Sequence, residues 1–237
     1  MLNSQAIVIN SLKHGETSLI SSLYLYDLGF NTFIIKGIFG SKKSKYNKAH
    51  FLPLSIININ FSINTSKNLG YLIESKSDFF FETLHTDIEK SSVVVFLSEV
   101  LTKVLREEAD PNPKLFEFIK DNLVWYDKIE RCNNFHIKFL IELTRFIGFY
   151  PSVNSKDEHF DIELGSSTNS ITSKELISGN IYDIFKKILG MKFEELNNIS
   201  ISKEVRLKIL NHILNYYSIH LQMFKTPKSI DIFSKIF

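Results

Sequence analysis

Apolar and polar residues alternate with a period of two through the first part of the chain, and that period predicts strands. Ala6–Lys13 is one such run, with Ile7 and Ile9 on one side and Val8 and Leu12 on the other. His14-Gly15-Glu16-Thr17 reads as a turn. Ser18–Tyr26 follows and ends in Leu-Tyr-Leu-Tyr; Asp27–Phe30, with Gly29, turns the chain into the β-branched and aromatic return run Asn31–Lys36. Leu54–Ile63 alternates most cleanly. Ile57, Ile59, Phe61 and Ile63 face one way, and Asn58, Asn60 and Ser62 the other. After a polar turn, Leu69–Glu74 supplies a fifth strand.

From Phe79 the period becomes helical. Ile88–Glu108 carries Val93, Val94, Leu97, Val100, Leu101, Val104 and Leu105 at helix spacing. Asp110-Pro111-Asn112-Pro113 breaks it, and Pro113 opens a second helix with Leu115, Phe116, Phe118, Ile119 and Leu123. Asn133 or Asn134 caps a third, whose buried stripe is Phe135, Phe139, Leu140, Leu143, Phe146 and Ile147, and Gly148 ends it. Tyr150–Asn180 has neither period and is rich in Ser, Asn and acid, with Phe160–Leu164 as its one short strand. Helical pattern resumes at Ile181–Leu189 and again over Lys203–Met223, where Pro227 stops it and leaves the tail Ser229–Phe237. Five short strands with no long helix among them predict a small closed barrel, of which the OB-fold is the commonest five-stranded form. The fold expected is therefore α+β: an OB-fold barrel over residues 1–80, then an all-helical domain over 81–237 with an irregular acidic segment at 150–180. Phe79-Phe80-Phe81, at the junction, is expected to pack the barrel onto the helices.

Composition narrows the class. The chain has 237 residues, 44% hydrophobic and 23% charged, the balance of a chain that folds. Its 21 Phe mostly serve cores. One cysteine excludes an intrachain disulfide and any cysteine-built zinc ribbon, which fits a reducing compartment. The chain shows no leader pattern and no apolar run near the ~18 residues a membrane span needs, so a cytoplasmic protein is expected. The net charge of +2 is unevenly shared, +4 over residues 1–80 against −2 over the rest. Five of the first third's lysines (Lys36, Lys42, Lys43, Lys45 and Lys48) fall within thirteen residues. A lysine-dense loop leaving an aromatic hairpin suits a polyanion: ammoniums neutralise phosphates and release counterions, and rings stack on unpaired bases. A solvated loop beside an ordinary barrel core is the plain alternative. Tyr24 and Tyr26 share a strand face with Ser22, and that half-polar face is expected to be exposed.

Catalytic signatures are missing. The nine Gly form no phosphate-cradling pattern, and no G-x-S-x-G or H-E-x-x-H occurs. Cys132 and His136 stand four apart on a helix, half a metal site with no second pair near it in sequence. Asp157, Glu158, His159, Asp161 and Glu163 cluster in the irregular segment, where a solvated loop is the plainer reading and a metal-dependent hydrolase the sharper one.

Taken in order, HGETSLISSLYLYDLGFNTFIIKGIFGSKKSK resembles the N-terminal signature of the RecO recombination mediators: a G-E-[ST]-S-L-I strand, a Gly-turn hairpin, then Lys-Gly and a Ser- and basic-rich loop. The likeness continues through FLPLSIININF, LREEADPNPKLFEFI, KFLIELTRFIGFYP and YYSIHLQMFKTPKSIDIF, nearly the whole chain in collinear order. The resemblance implies an N-terminal OB-fold and a C-terminal helical domain. It implies a non-enzymatic protein that binds single- and double-stranded DNA and engages the acidic-hydrophobic tail of single-strand-binding protein. Such proteins anneal coated complementary strands and, with RecR, help load RecA at gaps, in the cytoplasm at the nucleoid. No cofactor, membrane or small-molecule substrate is implied. Many relatives carry a four-cysteine zinc site after a Gly-aromatic-x-Pro element; here Gly148-Phe149-Tyr150-Pro151 is followed by no cysteine through Asn180, so zinc is not expected. The DNA-binding residues expected are Lys13, Lys36, Lys42, Lys43, Lys45 and Lys48, with Tyr24 as a stacking platform. For the tail, Lys138-Phe139 stands where relatives have a basic-Phe pair, with Arg145 two turns along and Phe116 walling the pocket. An RNA-binding OB-fold adaptor is the competing class, since basic loops and rings serve RNA equally well.

Overall fold

A computed structural model describes residues 2–40, 44–64, 69–108 and 110–236, with the backbone alone at 64. The chain divides into two compact units, Met1–Lys128 and Ile129–Phe237.

In the first unit, among the described residues, β1 (Leu2–His14), β2 (Ser18–Leu25), β3 (Gly29–Ile35), β4 (Ile56–Asn64) and β5 (Leu69–Ser77) form a closed barrel ordered β1-β2-β3-β5-β4. β4 pairs back onto β1, and β3 meets β5 in the barrel's parallel pairing. This is the expected OB-fold arrangement. The period-two pattern places Ala6, Val8, Leu23, Leu25, Phe33, Ile35, Ile57, Ile59, Phe61 and Leu72 in one interior core. Gly29 makes the β2–β3 turn in the left-handed region, φ 67°, which a residue with a Cβ adopts at a cost. At the β3–β5 seam Phe33 lies opposite Gly70, and a Cβ on Gly70 would overlap the Phe33 ring. Ile63, expected with the inward set, is 37% exposed where β4 leaves the barrel.

β1 is buried on both faces over Ala6–Ile9. Its outer side meets α1 (Ile88–Val104), whose Ser98 hydroxyl donates to the Ile9 carbonyl at 2.7 Å. α1 starts at Asp87, which accepts from the Lys90 N–H at 2.9 Å. α2 (Pro113–Lys128) begins at the proline, as its fixed φ favours. Near its end Asp127 gathers the chain leaving the barrel: the N–H groups of Glu82, Thr83 and Leu84 donate to its carboxylate at 2.8–3.0 Å. Buried Lys90 donates to the Asp127 carbonyl at 2.9 Å and to the Thr83 hydroxyl at 2.7 Å. Burial alone would raise the Asp127 carboxyl, but those backbone donors hold it below its ordinary range. The three junction phenylalanines divide: Phe79 and Phe81 meet edge to face, whereas Phe80 is 79% exposed.

In the second unit α3 (Phe135–Leu143) is buried on nearly every side, not along one stripe. It stops at Leu143, and Phe146 and Ile147 are half-buried in the turns beyond. α4 (Gly179–Gly190), α5 (Lys203–His220) and α6 (Ile230–Ile236) complete its helices among the described residues. Tyr217 of α5 donates to the Leu140 carbonyl of α3 at 2.7 Å. The segment expected to be irregular contains a three-stranded antiparallel sheet, β7 (Ser166–Thr168), β6 (His159–Asp161) and β8 (Leu176–Ser178) in that order. Three-residue strands are too short to leave a readable period, and this sheet is held instead by Phe160 packing on Phe185 and Tyr216. No helix among the described residues is long and apolar enough to cross a membrane.

Two expectations about stability follow. Gly70→Ala forces the Phe33 ring from its place at the seam, and overpacking of this kind costs about 1–3 kcal/mol. Urea unfolding of the first unit should shift by that amount, and an unchanged midpoint would mean the ring moves aside freely. The second concerns His136, fully buried in α3, where desolvation and then the Arg206 charge push the imidazole down to about 3. The unfolded chain holds it near 6.5. Between those values the unfolded state binds the extra proton, so stability is complete above 6.5 and falls as pH drops toward 3. Melting temperature should decline from pH 7 to pH 5, with a shallower slope in His136→Gln; equal slopes would remove His136 from the account.

Candidate nucleic-acid interface

The lysine-rich stretch after β3 is pinned from beneath. Ile38, Tyr46 and Phe51 insert into the barrel core, and the Tyr46 hydroxyl donates to the Leu72 carbonyl at 2.7 Å. A 3-10 turn, Lys48–Phe51, is capped by Asn47, whose side chain accepts from the Ala49 N–H at 3.0 Å. With those apolar residues inward, Lys45 and Lys48 point to solvent. Lys13, Lys36, Lys45 and Lys48 are all exposed, and among the described residues none pairs with a carboxylate. Lys42 and Lys43 lie outside the described residues.

Each of the four described lysines rests over an aromatic ring. Lys13, at the end of β1, and Lys48 both approach Phe39, with ammonium-to-centroid distances of 5.8 and 4.9 Å. Lys36, just past β3, lies 5.4 Å from the ring of Tyr71 on β5. Lys45 is 4.9 Å from Tyr46 and donates to the Ile73 carbonyl at 2.9 Å. Phe39 is held by its N–H donating to the Thr17 carbonyl at 3.0 Å, and both Phe39 and Tyr71 are half-buried. At an exposed site such a cation–ring interaction is worth about 0.5–1 kcal/mol, less than the ~1–3 kcal/mol of a base stacked on a ring. Burial holds the His50 imidazole below its ordinary pKa. The arrangement offers exposed positive charge over rings packed against a barrel.

Tyr24 is not part of this surface, which corrects the expectation of an exposed tyrosine face. Its ring is fully buried, stacked 6.0 Å from Phe116 of α2, and its hydroxyl donates to the Asn112 carbonyl at 3.3 Å. Burial pushes that phenol up to about 12. Tyr26 meets the same Phe116 edge to face at 5.4 Å. The half-polar face covers itself with a helix whose approach local alternation does not encode. Phe39 and Tyr71 are the half-buried rings beneath the lysines, whereas Tyr46 under Lys45 is buried in the barrel core. Phe39 was legible only as the aromatic inside the basic run, between Gly37 and Gly40.

The residues expected to hold an acidic tail do not form a surface. Phe116 is enclosed in the first unit beneath Tyr24 and Tyr26. In the second, Phe139 is fully buried and Lys138 is 3% exposed. The Lys138 ammonium donates to Glu142 at 2.8 Å and to the Leu189 carbonyl at 3.0 Å, so α3 uses it to tie down the end of α4. Arg145 alone of the four is at the surface, its side chain 54% exposed, bonded to Glu142 at 3.0 Å and stacked 3.6 Å over Tyr150. Burial would raise the Glu142 carboxyl, but these two cations hold it below its ordinary range.

The acidic cluster closes turns. Asp157 accepts from Ser167 and Asn169, and Asp161 accepts the N–H groups of Glu163 and Leu164 at 2.9 and 3.0 Å. His159 shares a hydrogen bond with Ser178. Cys132 is buried, and His136 packs on Phe233 at 4.8 Å. Among the described residues no three His, Cys, Asp or Glu side chains gather as metal ligands, and the donors in 150–180 do not fit zinc.

Comparison with known proteins covers the whole chain. The family model for the N-terminal part of recombination protein O matches residues 1–78, and that for its C-terminal part matches residues 85–229. The chain is 36% identical to the DNA repair protein RecO of Flavobacterium johnsoniae, over all of this chain and 99% of that one. It is 32% identical to that of Christiangramia forsetii, again over all of this chain and 99% of the relative. With that of Bacteroides fragilis identity is 29%, over 98% and 97%.

The position of Lys138 has a measurable consequence. Lys138→Glu sets a second carboxylate against Glu142 in a buried site, and breaking a buried pair costs about 3–5 kcal/mol. The variant should unfold at much lower urea than the parent rather than lose one binding activity selectively. A parent-like unfolding midpoint would place Lys138 at the surface after all.

Proposed function

Because this chain belongs to the RecO, or recombination protein O, family, we propose that it is a non-catalytic mediator of DNA repair and homologous recombination. It binds single- and double-stranded DNA through the exposed lysines of the barrel, in the cytoplasm at the nucleoid. It anneals complementary strands coated with single-strand-binding protein and, with RecR, helps RecA replace that coat at gaps. The observation that carries this reading is the set Lys13, Lys36, Lys45 and Lys48, exposed, free of acid partners and set over rings on one barrel. Ammoniums of this kind grip phosphates without reading sequence, and two strands held on one basic surface lose their mutual repulsion. It engages the acidic-hydrophobic tail of single-strand-binding protein; Arg145, the one exposed residue of the expected set, is bonded to Glu142 and stacked on Tyr150.

Replacing Lys13, Lys36 and Lys48 together with Ala should weaken binding to every DNA sequence alike. The slope of log affinity against log salt should shrink by up to ~0.7 for each single-strand phosphate that is no longer neutralised. A folded variant with parent-like affinity and slope would overturn the assignment. Annealing of coated strands should fail in the same variant. Competition at matched salt separates the classes: RNA displacing DNA at equal or lower concentration would favour an RNA adaptor instead.

A further inference from the structure

Resting on that reading of the basic surface, we infer that Phe39 and Tyr71 are its base-stacking platforms, each capped by lysine in the free protein and uncovered when a single strand arrives. Lys13 and Lys48 sit over Phe39, and Lys36 sits over Tyr71. All three lysines are exposed and among the described residues have no carboxylate to hold them, so a phosphate draws each ammonium from its ring at small cost. The ring so freed is already fixed. Phe39 packs against the barrel core, and Tyr71 stands on β5 between inward-facing Gly70 and Leu72, with Ile34 of β3 beside it. A base gains more from such a ring than the ammonium gives up, and the ammonium finds a new partner in the phosphate.

A duplex cannot make this exchange, because its bases are paired and stacked on one another. It meets the lysines alone. The two rings therefore set the preference for single strands, while the lysines set affinity for DNA of either kind. The buried Tyr24 takes no part.

The test compares Phe39→Leu, Tyr71→Leu and the triple lysine variant, each checked by thermal melting. Binding is read by fluorescence anisotropy on a dT oligonucleotide and on a duplex of equal length, at matched salt. Phe39→Met replaces Phe39→Leu if the latter melts early. Each ring variant should bind the single strand about tenfold more weakly and the duplex within twofold of the parent. The fluorescence change of 2-aminopurine placed in the oligonucleotide should diminish with them. Equal losses on both DNAs, or no loss on the single strand, overturn the inference. The triple lysine variant reports on the surface itself: if it weakens both DNAs while the ring variants change neither, the stacking assignment fails alone. If it binds both as the parent does, the basic-surface reading fails with it.

Discussion

Everything the first unit presents depends on closing the barrel between β3 and β5. The two strands run parallel there, and Phe33 fills the seam over Gly70, where any side chain would overlap its ring. Once the seam is shut, the chain leaving β3 and the outer face of β5 are held side by side. Lys36 then reaches Tyr71, and the Tyr46 hydroxyl reaches the Leu72 carbonyl. The closed barrel supplies the core into which the connection's own apolar residues insert. Ile38, Tyr46 and Phe51 enter the barrel core and leave Lys45 and Lys48 exposed beside it.

The lysines of this chain divide by what surrounds them. Lys13, Lys36, Lys45 and Lys48 keep their heads in water and rest on rings, where their charge is available to a polyanion. Lys90 and Lys138 are buried and hydrogen-bonded to carbonyls, where their charge fastens one element to another. Burying an ammonium is costly unless its donors are met: Lys90 meets a helix carbonyl and the Thr83 hydroxyl, Lys138 a helix carbonyl and the Glu142 carboxylate. Asp127 is the counterpart among acids, a carboxylate that collects three backbone N–H groups and binds the chain leaving the barrel to α2.

The acidic segment 150–180 follows the same rule in the second unit. Its charges and hydroxyls close turns and fasten a small sheet: Asp161 caps one turn, and Asn215 of α5 donates to Glu175 at 2.7 Å. Acids that looked loose along the chain, Asp157 and Asp161, are hydrogen-bonded within a small sheet packed on α4 and α5.

The sequence by itself determined the five strands, the Gly29 turn, the helix starts at Pro113 and Lys203 and the basic loop, because periods of two and 3.6 and turn chemistry are local properties. The collinear family motifs were legible for the same reason, since order along a chain survives without geometry. Which aromatic and which cation faces water was decided only in three dimensions. Tyr24 and Phe116 bury each other although one lies on a barrel strand and the other on a helix far along the chain, and Lys138 meets the Leu189 carbonyl 51 residues on. Phe39 keeps its place beside the lysines because the barrel core holds it. Burial is a property of partners distant in sequence, and one strand's alternation cannot say whether a helix will cover its outer face.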